Sequence, residues 1–201
     1  MILPAVFLLS LTALSFEILL VRVFSISQWN HLSFMVISIT LFGFAGGGTF
    51  LNIIDTYKKG WEKHLSSLEN IHIFTILFTL STIISFIVLN RIPLDYFRLP
   101  LEPVQAFYLL TAYLLLALPF FFTGLVVSIA YAFMPEKTGF VYFASMAGSA
   151  SGAIIPVIFL PYIYEGNLII LSALIPLAVI FLKHPGHNQG LILTRRRYFR
   201  L

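Results

Sequence analysis

The chain has no cysteine. That excludes disulfides, cysteine-ligated metals and thiol catalysis, and it leaves the redox compartment open. Charge is scarce as well. Asp, Glu, Lys and Arg make up 10% of the 201 residues, against about 25% in a soluble domain, so there is too little polar surface to cover a globule in water. The net charge of +4 does not point to nucleic acid, because the basic residues flank apolar runs, where membrane topology accounts for them. The alternation of a β-barrel strand is missing, since the apolar runs are continuous. Metal-ligand spacing is missing too. His31, His64, His72, His184 and His187 lie in loops or at the ends of apolar runs, and the one close pair, His184 and His187, has no acidic neighbour. No Ser-His-Asp set, phosphate loop or cofactor motif is visible.

What the chain has is apolar length: 59% hydrophobic residues and a mean hydropathy of +0.97. About 20 apolar residues cross a bilayer core, and a spanning backbone must satisfy its own hydrogen bonds, so the spans are helices. The sequence predicts an all-α, polytopic transmembrane bundle of about six spans: Ile2–Phe24, Leu32–Ile54, Ile71–Leu89, Val104–Phe133, Phe140–Tyr162 and Asn167–Lys183. Together they form one membrane domain, 1–183, followed by a basic tail, 184–201. The first run lacks a basic leader and a small-residue cleavage site, so it reads as an anchor that stays. The fourth run is too long for one simple crossing and carries Pro119, which removes a backbone hydrogen bond and favours a kink or tilt. The sixth is short and contains Pro176, which keeps a five-span reading with a re-entrant last segment open. Between the second and third runs, Tyr57, Trp61, Leu65 and Leu68 recur at helical spacing while Lys58, Lys59, Glu62, Lys63 and Glu69 fall elsewhere. That pattern suits an amphipathic helix on the membrane surface.

Glu17 is the only carboxylate deep inside an apolar run. A charge at the centre of a membrane helix costs about 2.5–3.5 kcal/mol on insertion scales, so such a residue has a partner or a task. Arg22 lies five residues on, a rotation of about 140°, which does not stack the two on one helix face. Arg22 can snorkel to the headgroups, and Glu17 needs a proton, a hydrogen bond or a charge on a neighbouring helix. Two readings of Glu17 stand open: a proton or cation site, and an interhelical anchor. Small residues form two further features. Phe42–Thr49 contains Gly43 and the run Gly46, Gly47, Gly48. It follows an apolar helix rather than a strand, so it is not a dinucleotide fingerprint; it reads as close helix packing, with a ligand-lining break as the other reading. Gly148 and Gly152 form G-x-x-x-G, with Ala144 one step earlier and Ser145, Ser149 and Ser151 beside them. That is the composition of a tight helix–helix interface.

Four segments carry a family resemblance: Phe16-Glu-Ile-Leu-Leu-Val-Arg22, Leu41-Phe-Gly-Phe-Ala-Gly-Gly47, Leu118-Pro-Phe-Phe-Phe-Thr-Gly124 and Val141-Tyr-Phe-Ala-Ser-Met-Ala-Gly-Ser-Ala-Ser-Gly152. In this order they resemble the membrane helices of bacterial spermidine-synthase-like integral membrane proteins. Ser145 stands where the family pattern has Asp. The resemblance implies a membrane domain in the inner (plasma) membrane that works with a cytoplasmic aminopropyltransferase-like domain of Rossmann type. No residues of such a domain lie in these 201, so membrane architecture carries over and catalytic residues do not. The implied role is a membrane anchor or substrate-handling platform for a separate transferase. The alternative is a small transporter or channel for amines or cations that uses Glu17 as counter-charge. The expected partners are the bilayer and that transferase, with no nucleic acid.

Orientation follows from the basic residues. With six spans, Lys58, Lys59, Lys63, Lys137, Lys183, Arg195, Arg196, Arg197 and Arg200 share one side, and only Arg22, Arg91 and Arg98 face the other. Both termini are therefore expected in the cytoplasm. A reporter active only outside the cytoplasm should be silent when fused after Leu201 and active when fused near Asp95. The reverse pattern would sink this topology.

Overall fold

The computed structural model describes residues 2–27, 30–57, 68–93 and 101–181. Its described residues are 92% helical and contain no strand. The helices are α1 (Ile2–Ser27), α2 (Asn30–Tyr57), α3 (Leu68–Leu89), α4 (Pro103–Phe133), α5 (Thr138–Phe159), α6 (Glu165–Leu174) and a final turn, α7 (Ala178–Phe181). Most of the expected amphipathic segment between α2 and α3, and all of the tail 184–201, lie outside the described residues.

Five helices, α1 to α5, are long and apolar enough to cross a membrane. Their surroundings can be read from what they leave uncovered. Phe34 is 71% exposed, Phe143 70% and Val157 73%, and α3 and α4 add Ile73, Leu80, Ile84, Ile87, Phe107, Leu110 and Leu114. An apolar surface of this extent is untenable in water and is what lipid contact requires. These five helices make the chain a multi-pass membrane protein. The sixth predicted run behaves differently. It forms α6, a 3₁₀ turn at Ile175–Leu177 around Pro176, and then α7. Its described residues, Glu165 to Phe181, cover about 25 Å at 1.5 Å per residue. α4, with 31 residues, is longer than a hydrocarbon core of about 30 Å by the same measure, so it tilts or projects.

α1 is the hub. It touches every other long helix and α6, most extensively α5, while α2 lies chiefly against α4 and α3 against α4. Accordingly much of α1 is buried: Ala5, Val6, Leu9, Phe16, Leu19 and Leu20 have no exposed surface. Phe16 stacks on Phe120 of α4 at 5.7 Å between ring centroids, and Phe44 of α2 reaches the same ring at 6.2 Å. Chain direction alternates from helix to helix, so α1 and α5 run parallel, as do α2 and α4.

Proline breaks are repaired across helices. Pro119 sits inside α4 and cannot donate to the carbonyl of Leu115, one turn earlier. Ser85 of α3 donates its hydroxyl to that carbonyl at 2.6 Å. At the 3₁₀ turn around Pro176, Thr79 of α3 donates to the carbonyl of Ala173 at 2.9 Å. Other buried hydroxyls turn back on their own helices, Thr12 to Leu8, Thr75 to Ile71, Thr82 to Phe78 and Thr123 to Pro119. In lipid, each freed carbonyl must find such a donor. Ser85→Ala should lower the unfolding free energy in detergent by about 1 kcal/mol. In a Pro119→Ala background the loss should be smaller, because residue 119 then donates to Leu115 itself. Equal losses in the two backgrounds would show that Ser85 does not serve the proline gap.

Candidate functional site

The polar side chains of α1 face three different neighbours. Glu17 is half-buried on the side toward α2, where the Thr40 side chain is its hydrogen-bond partner. Thr40 is buried, and its one hydroxyl proton goes to the carbonyl of Val36 at 3.0 Å. Arg22, just over one turn further along, turns toward α6. Its Nε donates to Glu165 Oε1 at 3.3 Å, with the Arg22 side chain 51% exposed and Glu165 19%. Glu165 opens α6, where the positive end of the helix dipole favours a carboxylate. Glu17 and Arg22 thus take partners on different helices and do not pair with each other. Ser10 meets Ser145 of α5, hydroxyl to hydroxyl, at 3.1 Å. Ser145 therefore makes a neutral contact between α1 and α5.

The glycines set how near these helices come. A Cβ on Gly148 would strike the carbonyl of Phe7, and one on Gly152 the carbonyl of Leu11. Ala144, Gly148, Gly152 and Pro156 form one buried stripe along α5, laid directly on the α1 backbone. The α2–α4 pair repeats the arrangement. A Cβ on Gly43 would lie 2.6 Å from the Ala117 carbonyl, and one on Gly47 would strike the Phe121 carbonyl. From the other side, a Cβ on Gly124 would lie 2.6 Å from the Phe44 carbonyl. Gly46 and Gly48 are not pressed in this way. A Cβ on Gly46 would meet only the Phe121 ring, at 3.5 Å, and one on Gly48 the Ser128 hydroxyl at 3.3 Å.

Between the Ser27 end of α1 and the Phe159 end of α5 the pair parts around an open groove of about 780 Å³. Ile18, Val21, Arg22, Ser25 and Ile26 line it from α1, and Pro156, Val157, Leu160 and Pro161 from the other side. Sequence reasoning singled out Arg22 but neither this groove nor Glu165 and Thr40. An acidic residue in the first turn after a loop is a helix-start signal that points to Glu165; no sequence signal pairs it with Arg22, 143 residues away. No protein-family model, curated protein or solved structure matches the chain.

The glycines make a direct test. Gly47→Ala should cost about 1–3 kcal/mol, the range for an overpacked site, because its new methyl meets backbone on α4. Gly46→Ala should be neutral or slightly stabilising, since alanine is the better helix former by about 1 kcal/mol and has room. Thermal unfolding of both variants in one detergent checks this, and equal losses would mean that α2 does not lie on α4 by the Gly47 face.

Proposed function

We propose that this multi-pass protein is a membrane platform in the inner (plasma) membrane, with both termini cytoplasmic, that anchors or feeds a separately encoded aminopropyltransferase-like enzyme. The observation that carries the reading is the backbone-to-backbone packing at Gly43, Gly47, Gly124, Gly148 and Gly152. Each pair, α1 with α5 and α2 with α4, is held at glycine distance, and helices whose backbones touch have little room to slide within the pair, which suits an anchor. The resemblance of four ordered segments to spermidine-synthase-like membrane helices supplies the class of partner. The amine or cation path is the second reading, favoured by one observation: Glu17, half-buried beside Thr40, places a carboxyl group within the apolar bundle.

Purification of the tagged chain from its native host in mild detergent separates the two. A stoichiometric transferase-like partner, identified by mass spectrometry, is the expected result. A bundle that purifies alone overturns the platform, and Glu17 then becomes the first residue to test for amine flux.

A further inference from the structure

The groove beside Arg22 has a shape and a charge that together select an occupant. It begins where the tight contact ends. Gly148 and Gly152 hold α5 against α1, and the next residue of the same stripe, Pro156, lines the groove wall. Its volume, about 780 Å³, falls within the range of small-ligand sites. Its walls are almost wholly aliphatic: Ile18, Val21 and Ile26 face Val157 and Leu160. The only charged side chain in the lining is Arg22. Glu165 contacts that guanidinium through Nε, and the side chain stays 51% exposed.

We propose that this groove binds one phospholipid with an anionic headgroup, its phosphate on the Arg22 guanidinium and an acyl chain between α1 and α5. The proposal rests on the membrane reading and not on the platform role. The argument for this occupant is charge complementarity joined to the surroundings. A planar guanidinium matches phosphate oxygens with paired N–H donors, and the groove opens on an apolar perimeter that lipid covers. A polyamine is the wrong ligand here, because the one charged lining group is a cation. Arg22 also lies about one and a half turns from the Ser27 end of α1, and Val21 and Ile18 extend the apolar wall from it toward the middle of that helix. The Glu165 contact orients the guanidinium within the lining.

Native mass spectrometry of the full chain released from detergent tests this, with phosphatidylglycerol and phosphatidylcholine of identical acyl chains as probes. The wild type should retain one phosphatidylglycerol at about tenfold lower lipid concentration than phosphatidylcholine. Arg22→Gln should lose that preference. Val157→Trp, at a position already 73% exposed, should block retention while leaving Arg22 and the fold in place, as thermal unfolding will show. Equal retention of the two lipids by the wild type overturns the proposal, and so does wild-type retention by Val157→Trp. Displacement of the bound lipid by equimolar glycerol phosphate overturns it as well, since the acyl chain would then contribute nothing. A folded bundle that shows any of these results refutes the groove site without touching the membrane reading, which membrane fractionation tests separately.

Discussion

The bundle depends on α1 and α5 meeting backbone to backbone. Between helices in lipid there is no hydrophobic drive, because the tails are as apolar as the side chains; close packing and hydrogen bonds must hold the pair instead. Gly148 and Gly152 remove the side chains that would keep α5 away from the carbonyls of Phe7 and Leu11. The Ser10–Ser145 contact adds a hydrogen bond on the same interface. With α5 seated so closely, α1 becomes an inner helix, and its own large residues Phe16, Leu19 and Leu20 are buried in the core, Phe16 against Phe120 of α4.

A second requirement, that no carbonyl be left bare in hydrocarbon, explains the polar residues of α3. On its own α3 is one of the more lipid-exposed helices, with Ile73, Ile76, Leu80, Ile84 and Ile87 uncovered. Its inner face nevertheless carries Thr75, Thr79, Thr82 and Ser85, all buried. Two of these hydroxyls go to carbonyls at proline sites on α4 and α6. The prolines and the hydroxyls are therefore one device. Pro119 lets a long helix bend, and Ser85 satisfies what the bend exposes. Pro176 interrupts regular helix in the sixth run, which resumes at Ala178, and Thr79 ties that run to α3.

Much of this was legible in the chain, and the illegible part has a common cause. Continuous apolar runs fix the helices by length and composition alone, which is why α1 to α5 follow the expected segments. In the sixth run the sequence shows Pro176 without showing the 3₁₀ turn around it. The G-x-x-x-G spacing names Gly148 and Gly152 without naming α1 as their neighbour. The glycine run at 46–48 is less informative still. Its members look alike in sequence, but a helix turns about 100° per residue, so only Gly47 meets the α4 backbone. Which one it is depends on how α2 is rotated, and that is decided by the partner. Thr40 and Glu165 escaped notice for the same reason: each is an ordinary residue until the fold brings it to α1.

The hub position of α1 also accounts for where the intramembrane acid can exist. A carboxyl on α3 or α5 would have one protein-facing side and a broad lipid-facing one, and most rotations of those helices would leave it in hydrocarbon at a cost of about 2.5–3.5 kcal/mol. α1 touches every other long helix, and Glu17 finds Thr40. Arg22 is tolerated for a different reason, since it lies near the helix end, half in the open, with Glu165 beside it. One helix thus carries two ionisable groups in two settings, Glu17 beside Thr40 within the bundle and Arg22 half in the open beside Glu165. Any function that uses both must work along α1, between the seam with α2 and the groove with α5.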